Sequence, residues 1–364
     1  MHIPGVEHRD TRAEDRQLTM NGYQRIRAAL RGESPDTTPI MLHNFMLAAR
    51  EAGITMEQYR RDPHAIARCL IESVEKYDLD GLLVDVDTAT LAGALGVDVE
   101  LPEDQPALSR GARLKLLEEV DDLEPVDIAR YSRVQIWLEA VRLASRHFRD
   151  EVFIRGNCDQ CAFSLASMMR TPYEWMLDLM DENNQARVYR LLEHCAGATA
   201  QFIRLMKQTG AHMVSNGDSP AGPELISPRL YRTFALPYEK QAAECAHGEG
   251  LPYALHICGN TNLILGDMTT SGADALELDY KTDMRMARTK MEGRVTFIGN
   301  LDPNGVLALG SPQLVEAKTL ELLDCFQGSP RFILNAGCAI PPTTPSENIA
   351  SMVRAARRWQ GPRA

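Results

Sequence analysis

No stretch of this chain approaches the roughly 18 uninterrupted apolar residues that a transmembrane helix needs. The first seventeen residues, Met1 to Gln17, are polar and charged and lack the apolar core of a signal peptide, so a cytosolic protein is expected. There is no excess of positive charge. The net charge is −11, which argues against general affinity for nucleic acid or an anionic membrane. No Pro/Gly/Ser-rich linker divides the 364 residues, and no repeat at a solenoid period is found. Eight cysteines without a secretion signal point to thiols rather than a disulfide framework.

The apolar fraction, 44%, is ample for a large core. Short apolar runs alternate with longer amphipathic stretches. The strand candidates are Pro39–Leu42, Gly81–Val86, Val152–Arg155, Met213–Ser215, Tyr253–Ile257, Ala275–Leu278, Val295–Ile298 and Phe332–Leu334. Continuous apolar runs closed by polar or glycine-bearing turns suit strands buried on both faces of a parallel sheet. Helical patterns fall between them, at 127–147, 186–206, 228–246, 312–323 (Ser311 as N-cap) and 345–359 (Thr344 as candidate N-cap). Eight such units predict an α/β fold, a (β/α)8 TIM barrel with helical insertions in the gaps 87–151 and 156–212. The expected division is an N-terminal extension over 1–20 and one barrel domain over 21–364. An open doubly wound sheet is the alternative, but its Gly-rich phosphate loop is missing, and His43-Asn44-Phe45 follows the first strand instead.

In a barrel of this kind the chemistry sits at the C-terminal strand ends. Polar residues close every strand there: His43 and Asn44; Asp85 and Asp87; Asn157 through Cys161; Asn216 and Asp218; His256 and Cys258; Glu277 and Asp279; Asn300 and Asp302; Asn335 and Cys338. His256 and Cys258 are two residues apart and so share a strand face. One imidazole and two thiolates, His256, Cys258 and Cys338, make three ligands of a catalytic zinc site with an exchangeable fourth position. A resting fourth ligand remains open among Cys158, Asp159, Asp218 and Glu277. The bland alternative is a core histidine and two buried thiols. Cys158-x-x-Cys161 is a second pair of metal or redox spacing, though a thioredoxin-like role calls for a different fold.

These segments resemble the uroporphyrinogen decarboxylase superfamily, and within it the zinc-dependent, corrinoid-linked methyltransferases. The likeness runs over about residues 20–360. It is carried by His256-Ile-Cys-Gly-Asn-Thr261, Ser271-Gly-Ala-Asp-Ala-Leu-Glu-Leu-Asp279, Ile298-Gly-Asn-Leu-Asp-Pro303 and Asn335-Ala-Gly-Cys-Ala-Ile-Pro-Pro-Thr-Thr-Pro345, with support from Asn216-Gly-Asp-Ser-Pro-Ala-Gly222. The resemblance implies a TIM barrel, zinc on His256, Cys258 and Cys338, and a corrinoid cofactor carried by a separate protein. No Asp-x-His-x-x-Gly corrinoid-binding signature occurs in this chain. The arginine-rich loop with which porphyrinogen decarboxylases grip substrate carboxylates is also missing, since that segment reads Leu42-His-Asn-Phe-Met-Leu-Ala-Ala-Arg50.

The expected function is therefore methyl transfer between a corrinoid and a small thiol, alcohol or methyl ether, with zinc activating the sulfur or oxygen. Asp85, Asp87, Asn157 and Asp218 are the candidates to orient substrate or act as acid and base. Expected partners are a corrinoid protein and a small methyl donor or acceptor, with a homo-oligomer compatible. The rival readings are a metal-free carboxy-lyase and a non-enzymatic metal- or corrinoid-binding accessory protein.

Overall fold

The computed structural model describes residues 19–361, so the expected N-terminal extension lies almost wholly outside the described residues. Eight parallel strands form one sheet: β1 (Met41–Leu42), β2 (Gly81–Val84), β3 (Phe153–Gln160), β4 (Met213–Gly217), β5 (Tyr253–Ile257), β6 (Ala275–Leu278), β7 (Thr296–Leu301) and β8 (Phe332–Ala336). Each pairs with its sequence neighbours in order. The first and last strands meet through a parallel bridge between Ile40 and Leu334, with Leu334 N donating to the Pro39 carbonyl at 2.9 Å. That contact closes the sheet into the expected barrel and disposes of the open doubly wound alternative. Among the described residues no helix is long and apolar enough to cross a membrane.

Strand periodicity arranges the lumen in layers. At the N-terminal end, Met41, Phe153, Met213, Ala254, Ala275, Ile298 and Ile333 form one apolar cluster, capped by Ile26, Ala29 and Leu30 of the helix Gly22–Arg31. Gly81 completes the ring because a Cβ there would come 2.3 Å from the Ile26 side chain. Two residues further along each strand, the same lumen face carries His43, Leu83, Arg155, Ser215, His256, Glu277, Asn300 and Asn335. Another step of two reaches Asp85, Asn157, Gly217 and Cys258. The intervening residues, such as Leu82, Ile154, Leu255, Ile257 and Leu334, point outward into the main core beneath the helices.

The expected elements depart from the structure in a few places. The helical pattern at 228–246 is not one α-helix. It comprises Pro228–Leu230, a π turn at Tyr231–Ala235 and the helix Leu236–Gly248, because Pro237 has no N–H to continue the regular ladder. The last helix is Ser346–Arg358, with Pro345 rather than Thr344 at the N-cap position. Ser311 caps Pro312–Cys325 as expected, accepting from Leu314 N at 3.2 Å. The first long gap holds a short antiparallel ribbon, Val99–Glu100 with Leu108–Ser109, as well as helices.

Candidate active site

His256 lies near the end of β5 and Cys258 directly follows that strand, while Cys338 lies two residues beyond β8. Their ligand atoms lie within 4.8 Å of one another. His256 Nε2 is 2.9 Å from Cys258 Sγ, which is 3.4 Å from Cys338 Sγ. Gly337 brings the second thiol in, since a Cβ there would lie 2.3 Å from Tyr280 N. The Glu277 carbonyl accepts from His256 Nδ1 at 3.0 Å, which leaves Nε2 as the atom facing the thiols. A histidine tied at one nitrogen and presenting the other is the usual posture of a metal ligand. One nitrogen and two sulfurs, half-buried at the barrel mouth, fit zinc with an open position. Among protein groups alone the cluster polarises itself. The Cys258 sulfur, hydrogen-bonded by Cys338 against the opposing effect of burial and lying beside His256, is held down to about 3. Burial opposes charge on His256, but the neighbouring Cys258 thiolate lifts it to about 10.

Below the thiols runs a network of charged and polar groups. Arg155 pairs with Glu277 at 2.5 Å and donates from Nε to Ser215 at 2.8 Å. Asn335 donates to Glu277 at 3.0 Å and accepts from the backbone N–H of His43 at 3.0 Å. His43 Nε2 is 2.6 Å from Asp85, while its Nδ1, 3.7 Å from Glu277, has no hydrogen-bond partner. Burial works to raise Glu277, but Arg155 and the two histidines overcome it and hold the carboxyl down to about 2.

These groups surround a cavity of about 230 Å³, whose walls also include Phe45, Met46, Leu83 and Ala339. That is smaller than the ~300–1,000 Å³ typical of drug-sized ligands, so it suits a small molecule better than a tetrapyrrole. Asp85, Asp87 and Asn157 line it together with the three zinc candidates. Asp87 is already committed. It accepts from the Ala89 and Thr90 amides and the Thr90 hydroxyl, and pairs with Arg133. Asp218 is not part of the cavity wall. It is fully buried behind it, accepts from Ser164 N and Oγ, and is raised to about 6 by burial. Asp159 lines the cavity, Cys158 and Cys161 lie in the core, and among the described residues no fourth His, Cys, Asp or Glu completes the triad. His43 and Asn335 stand among the strand-end polar residues in the sequence, but nothing there gives them a specific role, and Arg155 is not among them. Arg155 was the detectable signal, because an arginine inside an apolar run has to be paired once buried.

The uroporphyrinogen decarboxylase (URO-D) family model matches residues 21–359, and the chain belongs to that family. It is similar to the methylcobamide:CoM methyltransferase MtbA of Methanosarcina mazei, with 27% identity over 93% of this chain and 98% of that protein. It is also similar to the uroporphyrinogen decarboxylase of Nostoc punctiforme, with 28% identity over 91% of this chain and 95% of that one. A solved methyltransferase from Methanosarcina mazei shares the fold, with a TM-score of 0.85, 22% identity and coverage of 93% of this chain and 98% of the other.

Proposed function

We propose that this protein is a zinc-dependent methyltransferase that moves a methyl group between a corrinoid and the sulfur or oxygen of a small molecule. The observation that carries this reading is the convergence of His256 Nε2, Cys258 Sγ and Cys338 Sγ within 4.8 Å at the cavity mouth. The likeness to MtbA over nearly the full length supports it. Zinc on one neutral imidazole and two thiolates is formally neutral and supplies a Lewis acid that keeps a thiol or alcohol ionised near neutral pH. A cavity of about 230 Å³ is small for a corrin ring, so the corrinoid is expected at the mouth on a separate protein.

The chain's own groups do the rest. Glu277, through its backbone carbonyl, fixes the His256 ring. The Arg155–Glu277 pair and Asn335 hold that part of the barrel rigid. The unpartnered Nδ1 of His43 is the place for the proton that a thiol gives up, with Asp85 on Nε2 to stabilise the resulting imidazolium. Asp85 and Asn157 are thus assigned to the substrate side. Asp87 and Asp218 serve by holding the walls.

The test is elemental analysis of protein purified without added metal, followed by the loss of the methylcobalamin spectrum on adding 2-mercaptoethanol. About one zinc per chain and thiol-dependent demethylation are expected. No zinc, no uptake on adding it, and release of carbon dioxide from a porphyrinogen would move the assignment to a metal-free decarboxylase, as in the Nostoc relative.

A further inference from the structure

Strand β3 is irregular where it meets the cavity. Its register against β4 goes from Asn157 opposite Ser215 to Gln160 opposite Gly217, so three steps on one strand are matched by two on the other. The extra residue falls at Cys158-Asp159, and Asp159 takes a φ of 58°. Bulges of this kind re-aim a side chain and gather beside active sites. Asn216 pins this one, donating to the Cys158 carbonyl at 2.6 Å.

The bulge places Asp159 among the residues that line the cavity, at 1% exposure. Its Oδ2 accepts from Leu91 N at 2.7 Å, its Oδ1 is buried with no hydrogen-bond partner, and the nearby Gln160 side chain only partly offsets the effect of burial. The other acids here have cationic or imidazole partners: Asp85 has His43, Asp87 has Arg133 and Glu277 has Arg155. Arg60, the remaining arginine of the wall, gives its terminal N–H groups to the Pro102 and Gln105 carbonyls. Among the described residues Asp159 makes no salt bridge, and the charges that bear on it are the carboxylates Asp87 and Asp85. An unpaired buried carboxylate beside two others is costly, whereas the protonated acid is not, and it carries a donor. Burial, reinforced by Asp87, accordingly raises this carboxyl well above the usual range.

We propose that Asp159 acts as a neutral carboxylic acid whose O–H binds an acceptor oxygen of the substrate, so that the site selects small thiols or methyl compounds carrying a second, uncharged oxygen. The uncharged character follows from Asp85 and Asp87, which disfavour an anion beside them. The substrate class rests on the methyl-transfer reading, while the protonated, donating state of Asp159 does not.

The experiment has two arms on the zinc-loaded protein. In the first, methyl transfer from methylcobalamin to 2-mercaptoethanol is compared with transfer to ethanethiol. The wild type is expected to favour the hydroxyl-bearing thiol by about tenfold in kcat/KM, a single hydrogen bond's worth. Asp159→Ala should level the two chiefly through KM, and Asp159→Asn, whose amide still donates, should keep most of the preference. In the second arm, infrared difference spectra of the wild type against Asp159→Asn should show a carboxylic-acid C=O stretch at pH 7 that shifts on adding 2-mercaptoethanol. An undiminished preference in Asp159→Ala, equal losses in both variants, or no such band would overturn the proposal. If the wild type methylates neither thiol, the methyl-transfer reading fails on its own, and the infrared arm still decides Asp159. That arm also suffices if Asp159→Ala does not fold.

Discussion

Two cysteine pairs at the same end of the barrel have opposite characters. Cys158 and Cys161 are 0% and 1% exposed, and burial pushes both thiols well above their ordinary value. Cys258 and Cys338 are half-buried, and hydrogen bonding from Cys338 together with the adjacent His256 draws Cys258 down to about 3. The first pair has a Cys-x-x-Cys spacing and the second lies eighty residues apart, and strand parity separates them. Asn157 faces the lumen, so Cys158 is turned out into the apolar layer, whereas Cys258 continues the lumen face of Ala254 and His256. What a thiol can do here depends on which side of the barrel wall it occupies.

Removing one member of each pair should separate them most sharply. Cys258→Ala and Cys338→Ala are expected to lose stoichiometric zinc and to depress methyl transfer by more than the ~10–100-fold typical of outer-shell partners. Cys158→Ala and Cys161→Ala should keep one zinc per chain and lose only about 1 kcal/mol of stability. Elemental analysis and urea unfolding of the four variants decide it, and a Cys158→Ala protein stripped of zinc would erase the distinction. Alkylation gives the next largest contrast. In protein stripped of metal by chelation, Cys258 should react with iodoacetamide at a rate nearly independent of pH from 8 down to about 5, because its thiolate persists far below the usual cysteine range. An ordinary thiol would slow about tenfold per pH unit over that span. Peptide mapping should find Cys158 and Cys161 unlabelled until the chain unfolds, and zinc should protect Cys258.

The barrel was legible because its strands are buried on both faces and read as apolar runs. Tyr253–Ile257 and Ala275–Leu278 were located to the residue. Where a strand leaves the core the pattern fails. β3 continues through Gly156-Asn157-Cys158-Asp159-Gln160 and β7 through Gly299-Asn300-Leu301, segments in which polar residues and glycines break the apolar run. The zinc candidates could be read because His, Cys and Cys are a restrictive donor set. Of the layer beneath them, His43, Glu277 and Asn335 stand out in the sequence as strand-end polar residues, but their network with Arg155 does not, because the four come from four strands that only barrel closure brings together. Asp218 shows the opposite case. Its place after β4 suggested the site, but Ser164 holds it behind the wall.

That layer supplies a prediction of intermediate size. Glu277→Gln leaves Arg155 buried without its counter-charge, a change that costs about 3–5 kcal/mol when a buried pair is broken. The pH dependence has a definite sign. The Glu277 carboxyl is held to about 2 in the fold against an ordinary 4.5. Its contribution is therefore fully present above about 4.5 and is lost as pH falls from there through about 2. Thermal midpoints between pH 5 and 2.5 should fall steeply for the wild type and less steeply for Glu277→Gln. Parallel slopes would mean that other carboxylates govern acid unfolding.

The smallest effect tests how completely the two faces of one strand are insulated. Tyr253 opens β5 three residues before His256, but it faces outward, where its hydroxyl lies 3.3 Å from Cys161 Sγ. A thiol is a weak donor and a weak acceptor, so the contact is worth no more than an ordinary neutral hydrogen bond. Tyr253→Phe keeps the ring and its packing and removes only that contact. The expected cost is about 0–1 kcal/mol in urea unfolding, with zinc content and methyl-transfer rate unchanged within twofold. A larger change in zinc affinity or rate would show that the outward face of β5 governs the setting of His256, and that the buried thiols act on the site through the strand itself.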